Sequence, residues 1–257
     1  MVSAAWQKFA DELARWSDAG REVELWWRDD DAARPTPALD RLLRLAADAG
    51  AALALAVVPE AADAGMLSGL GAGVTVLQHG TDHRNRAAPG EKKTEFSASE
   101  PPEEALARLA AGRARLESLA NGRALAVLAP PWNRFPASLA PRLPAAGYRG
   151  LSAFGARQAA WPVAGLAQVN THVDLIAWKE GRGFVGEAEA LAVAVRHLAA
   201  RRSGSADARE PTGWLTHHAL HDEAAWRFLE RLFEATMRAP GVRWRCAADL
   251  FPGAGER

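Results

Sequence analysis

The sequence predicts an α/β fold, a distorted barrel of seven or eight β/α units. Three observations carry this expectation. Short apolar runs alternate with amphipathic segments along nearly the whole chain. Polar clusters stand directly after the apolar runs, where the strand ends of a parallel barrel converge. No glycine-rich phosphate fingerprint follows the first strand, which disfavours an open dinucleotide-binding sheet. A chain of 257 residues suffices for one such barrel with a large core. It is divided here into an N-terminal helix, residues 1–22, and a barrel domain, residues 23–257.

In chain order, Trp6, Phe9, Leu13 and Trp16 give the first helix one apolar stripe. VELWWR, from residue 23, reads as the first strand. TPALDRLLRLAADAG follows as a helix with Pro37 near its start and Gly50 just past its end. AALALAVV is the second strand, residues 61–70 form a weak helix, and VTVLQ leads into HGTDH as the third strand. From Arg84 to Glu100 the chain is polar and aperiodic, a long loop over one face of the kind that forms lids. A helix at residues 101–122, the strand ALAVLA, the segment PPWNRF, a helix at 137–146 and a strand at 150–154 come next. LAQVNTHV and VDLIAW are read as strands and EAEALAVAVRHLAARR as a helix. After a turn-rich stretch the chain closes with strand WLTHH, helix DEAAWRFLERLFEATMRA and strand VRWR.

Lysine plus arginine equals aspartate plus glutamate at 31 each, so no summed field favours nucleic acid or an anionic membrane. The single cysteine, Cys246, excludes an internal disulfide, and the N-terminal residues lack a secretory pattern, so a cytoplasmic location is expected. No apolar run approaches the roughly 20 residues that a bilayer requires. Ten tryptophans against one tyrosine, several beside polar clusters, fit aromatic pocket walls and large core residues equally well.

Four clusters can carry chemistry. Asp29, Asp30 and Asp31 repel one another unless cations or donors compensate them, and an acidic helix N-terminus is the bland alternative. His79 and His83, spaced HxxxH, can reach one divalent ion together with Asp30, leaving open positions for water. Trp132 and Asn133, stiffened by two prolines, can wall a groove or simply form a turn. In WLTHH, alternation points one of His217 and His218 inward as a general acid or base, with His218 preferred and His217 in reserve.

These segments resemble the polysaccharide deacetylase family, the NodB-homology or carbohydrate esterase family 4 group. RDDDA is similar to its TFDDG motif, HGTDH to its HxxxH motif, LAPPWN to RPPYG, VDLIAW to DxxDW and LTHH to LxIH, in the family order over residues 23–222. The resemblance implies a metal-dependent hydrolase that removes N-acetyl or related acyl groups from an amino sugar or similar amide. It implies Asp29 as base, Asp30, His79 and His83 as ligands of a divalent cation, and His218 as the acid; a register using Asp30 and Asp31 is the alternative. Zinc is the first expectation for the metal, ahead of cobalt, nickel or manganese. Trp132, Asn133, His217, Asp174 and Trp178 are the implied substrate contacts, and a small molecule or oligosaccharide the implied substrate.

Two positions depart from the pattern. Ala129 stands where the family has the arginine that supports its base, and Ala177 where it has the aspartate that supports its histidine. Arg134, His172 and Asp174 are candidates for the missing support. These departures favour a rival reading, a carbohydrate-binding or regulatory protein that keeps the fold with weakened catalysis. Lys92 and Lys93 in the long loop can meet an anionic group or form a solvated run.

Overall fold

The computed structural model of the protein describes residues 3–97 and 99–251. Nine strands form one sheet: β1 (Val23–Ala32), β2 (Leu53–Val57), β3 (Val74–His79), β4 (Ala124–Ala129), β5 (Gly150–Leu151), β6 (Ala167–Gln168), β7 (Val173–Asp174), β8 (Thr212–Thr216) and β9 (Val242–Trp244). The order is β6-β5-β4-β3-β2-β1-β8-β7, with β9 pairing the start of β1, and every pairing is parallel. Helices return the chain between strands and cover the outside: α1 (Ala4–Asp18), α2 (Pro37–Ala49), α3 (Ala64–Ser68), α4 (Pro102–Leu119), α5 (Glu187–Ser203), α6 (Glu223–Thr236) and α7 (Ala247–Leu250). The result is the expected distorted β/α barrel.

Strand β1 shows why the sheet curls around two cores. Its buried residues alternate, so Leu25 and Trp27 join the large outer core beneath the helices, while Trp26 joins a smaller inner one with Ala54, Ala56, Leu77 and Ala129. Trp27 packs on Phe233 of α6 with ring centroids 5.0 Å apart, a contact that adds about 0.5–1.5 kcal/mol to its burial. The inner alanines are small enough to leave room inside the curl for Arg28 and Asp30, both buried. Helix α1 belongs to the outer layer: Trp6, Phe9 and Trp16 lie in the large core, and Trp6 donates to Glu187 of α5 at 2.9 Å.

Caps fix the helices as the residue types require. Thr36 accepts from the Leu39 amide before Pro37, and Gly50 ends α2 in the left-handed region at φ 66°. Asp222, part of the last polar cluster, caps α6 by accepting from Ala225 N at 2.8 Å.

Three expectations are corrected. The helix at 137–146 is one 3-10 turn, Ala140–Arg142, because Pro136, Pro141 and Pro144 remove donors and clash with a continuous helix. The strands at 166–173 and 173–178 shrink to β6 and β7. Between them Asn170 accepts from Ala153 N and donates to Gly155 O, so its side chain takes the place of ladder bonds. The 84–97 loop is anchored rather than free to act as a lid, since Glu95 and Phe96 are both fully buried. Among the described residues no helix is long and apolar enough to cross a membrane.

Candidate active site and metal centre

The three adjacent aspartates face three different sets of partners. Asp29 points outward beneath the helices and accepts from His218 Nδ1 at 2.5 Å, His218 N at 3.0 Å and Thr216 Oγ1 at 2.7 Å. Burial alone would push its pKa up, but the charge and hydrogen bond of His218 outweigh it and hold the carboxyl below the usual range. The same partnership raises His218 despite burial. Asp29 thus staples the turn after β8 to β1.

Asp30 points inward and is held by both ends of a guanidinium fork, with Arg28 Nε at 2.8 Å and Nη2 at 3.0 Å. Asp31 sits beyond the strand's regular pleat, where the β1–β2 register shifts and φ reaches 70°. There its Oδ1 lies 3.1 Å from Nε2 of His79 and 3.1 Å from Nε2 of His83.

This geometry favours the alternative register, Asp30 and Asp31, over the one preferred from the sequence. Asp31 faces the two imidazoles and Asp30 does not. Asp29 is on the opposite face of the sheet from Asp30, and His218 is bound up with it. Of the two adjacent histidines, His217 is the one that acts on Asp31, and its ring packs edge to face with Trp178 at 4.8 Å between centroids, with Nδ1 3.9 Å from Asp174 Oδ1.

The donor set fits a divalent cation. His79 Nδ1 donates to the carbonyl of Ala129 at 2.9 Å, which leaves Nε2 as a bare lone pair directed at Asp31. Asp31 Oδ1 is buried, yet it stands outside hydrogen-bonding geometry with both rings. Acceptors 3.1 Å apart require positive charge between them, and one carboxylate with two imidazoles suits zinc and its neighbours. Around the set, burial pushes Asp31 up, but the neighbouring imidazoles of His79, His83 and His217 hold it far below its ordinary value. His79 is raised by Asp30 and Asp31 against the cost of burial.

Among the described residues a second cluster, His172, His197 and Glu210, is also close enough to share an ion, but its tautomer argues otherwise. His172 Nδ1 accepts from the backbone amide of Gly213 at 3.0 Å, so neutral His172 carries its proton on Nε2, facing Glu210 at 3.3 Å. That nitrogen is a donor and not a metal ligand.

Two turns present the centre. In the 79–83 turn, Gly80 has φ 61°, and a Cβ there would meet Glu95 Oε2 at 2.1 Å and Pro131 Cδ at 2.6 Å. Glu95 accepts from the amides of Thr81, Asp82 and His83 at 2.7, 3.2 and 3.2 Å, which fixes the turn that carries His83. After β4, Trp132 and Asn133 both have φ 55°, a conformation uncommon for asparagine and costly for tryptophan. It delivers the Trp132 ring to His83 at 4.5 Å and Asn133 Oδ1 to Arg28 Nη2 at 2.6 Å. The Oδ1 of Asn133 is therefore engaged by Arg28. Asp174 likewise accepts from Trp178 Nε1 at 2.7 Å and Ile176 N at 3.0 Å, with its pKa raised by burial in spite of the nearby His217. Trp178 is 45% exposed and stands at the mouth.

Reasoning from the sequence missed Arg28 and Glu95. Arg28 had a signal: an arginine inside a buried strand needs a partner, and the residue two places on shares its face. Glu95 had none, because its partners are backbone amides 12–14 residues away.

No family model and no curated protein matches the chain. Solved structures match its fold. A Mycobacterium smegmatis protein classed with the polysaccharide deacetylases superposes with TM-score 0.61 at 12% identity, covering 89% of each chain. A family 4 acetyl xylan esterase from Clostridium thermocellum, in complex with a cobalt ion, gives 0.53 at 13% identity, with 88% of this chain and 89% of that one covered. A mutant of a carbohydrate esterase family 4 pseudoenzyme with restored activity gives 0.57 at 13%, with 90% and 67% covered. The fold is that of the NodB-like deacetylases, divergent in sequence.

Proposed function

We propose that this protein is a metal-dependent amide hydrolase that removes an N-acetyl or related acyl group from an amino sugar or similar amide. The observation that carries the reading is the convergence of Asp31, His79 and His83, with the lone pair of His79 exposed to a carboxylate by its bond to Ala129. These three residues would hold the ion, with zinc as the first expectation. When bound, a divalent cation supplies Lewis acidity to the amide carbonyl oxygen and acidifies water.

The chain's own residues supply the proton transfers. Asp30, next to the triad, is the general base that takes the proton of the attacking water, and His217 is the acid that protonates the departing nitrogen. Asp174, 3.9 Å away across the mouth, orients His217 and takes over the support that Ala177 cannot give. Trp178, packed on His217, and Trp132, packed on His83, bound the cleft on two sides and offer apolar faces to a sugar ring.

The rival reading, a carbohydrate-binding protein that has lost hydrolysis, draws support from Ala129 and Ala177 and from the likeness to a pseudoenzyme. Metal analysis of the purified protein, alongside acetate release from N-acetylated mono- and oligosaccharides, separates the two. The hydrolase reading expects one zinc per chain and release of acetate. Replacing His79 or His83 by alanine should abolish both. Zinc and saccharide binding without turnover would leave the rival standing, and failure to bind any divalent ion would overturn the metal centre itself.

A further inference from the structure

Arg28 is fully buried inside the curl of the sheet, and all five of its N–H groups have acceptors. Nε and Nη2 reach the two oxygens of Asp30. The other Nη2 hydrogen goes to Asn133 Oδ1, and Nη1 donates to Ser152 Oγ at 2.7 Å and Ser152 O at 2.9 Å. One side chain thereby ties the end of β1 to the turn after β4 and to the end of β5. The inward positions around it are small, Ala54, Ala56 and Ala129 among them. Removing a guanidinium from water is costly unless every donor is matched, and a plain structural ion pair would satisfy that condition too. What distinguishes Arg28 is its choice of partner. It grips a carboxylate that acts on His79 from beside the set without joining it.

We infer that Arg28 is a positioning residue: its fork fixes the direction of the Asp30 carboxylate and keeps it out of the ligand set formed by Asp31, His79 and His83. The inference rests on the hydrolase reading for the role of Asp30, but not for the geometry. Without the fork, Asp30 is free to swing toward His79 and contribute an oxygen to the ion. A carboxylate drawn into the ligand set is no longer placed to take a proton from water.

The test compares wild type, Arg28→Met, Asp30→Leu and the double variant Arg28→Met/Asp30→Leu. The double variant replaces the buried pair by apolar side chains, an exchange that folded proteins often tolerate. Visible absorption of the Co²⁺-loaded proteins reads the ligand set directly. The expected result is a changed spectrum for Arg28→Met alone, with the wild-type spectrum regained in the double variant because no carboxylate is left to intrude. On acetate release, Arg28→Met should lower kcat about a hundredfold with KM little changed, and the double variant should be no slower than Asp30→Leu.

Identical spectra for wild type and Arg28→Met would overturn the proposal, as would losses of rate that multiply in the double variant. If Arg28→Met does not fold, Arg28→Lys carries the same comparison, since it keeps the charge but loses the two-point fork. A crystal structure of that variant with Asp30 unmoved would also refute the inference. A wild-type protein that binds Co²⁺ but releases no acetate would sink the hydrolase reading alone, and the spectra would still decide the role of Arg28.

Discussion

Aspartates 29, 30 and 31 show how much one residue of register decides. Regular pleating sends Asp29 out and Asp30 in, and would send Asp31 out again; the left-handed φ at Asp31, together with the shifted pairing against β2, turns it to the mouth instead. The sequence made the acidic cluster and the HxxxH pair legible, but a local break in strand geometry leaves no pattern in residue types, so the residue types left two registers open for the ligand. The same ambiguity attaches to His217 and His218, where the backbone leaves the strand after Thr216. Single substitutions separate the three roles. Asp31→Ala should abolish zinc binding, measured by calorimetry, while leaving the fold intact. Asp29→Ala should keep zinc affinity but lose about 1–3 kcal/mol of unfolding free energy, because it leaves the buried His218 Nδ1, the His218 amide and the Thr216 hydroxyl without their acceptor. Equal metal loss in both variants would refute this division.

At the scale of elements, the helices α2 and α6 were readable because periodicity and capping residues agree locally, and α4 and α5 because of their length and their runs of helix-forming residues. The extents of the short strands β5, β6 and β7 were not, because loop side chains such as Asn170, remote from the pattern, decide where their pairing stops. The element that matters most to the site is the 79–83 turn, held by Glu95 from a segment that reads as featureless polar loop. Glu95→Ala leaves three amides unpaired and frees His83, so zinc affinity should fall about 10–100-fold, as outer-shell changes at metal sites do. Gly80→Ala acts on the same turn by steric means. Its Cβ would collide with Glu95 and Pro131 at a φ that L-residues avoid, and a destabilisation of at least about 2 kcal/mol is expected by urea titration. A neutral Gly80→Ala variant would show that the turn is looser than its contacts imply.

For the molecule as a whole, buried histidines of opposite kinds set the pH range of stability. His172, His197 and His221 are kept neutral: burial lowers all three, His197 to about 2 and His221 to about 4. Their stabilisation is fully present above about 6.5, the unfolded value, and is lost as pH falls, because the unfolded chain then binds protons that the folded one refuses. His79 and His218 are raised against the cost of burial by Asp30 and Asp31 and by Asp29, respectively, so their contribution is full below about 6.5 and is lost as pH rises through the folded values. The two groups together place maximum stability of the metal-free protein near pH 6.5, with a decline on either side. The acid side belongs to the neutral histidines, since ordinary aspartates do not yet titrate between pH 6.5 and 5. Each fully suppressed histidine costs about 1.5 kcal/mol over that interval. Replacing His197, which stacks on His172 at 3.5 Å between centroids and bonds Thr212, by leucine removes one such group. Urea unfolding in the presence of a chelator should then show a drop between pH 6.5 and 5 that is smaller than the wild-type drop by about that amount. An unchanged slope would mean that His197 is already protonated in the folded protein, and that its burial on the inner face of α5 is compensated by a charge partner other than His172 and Thr212.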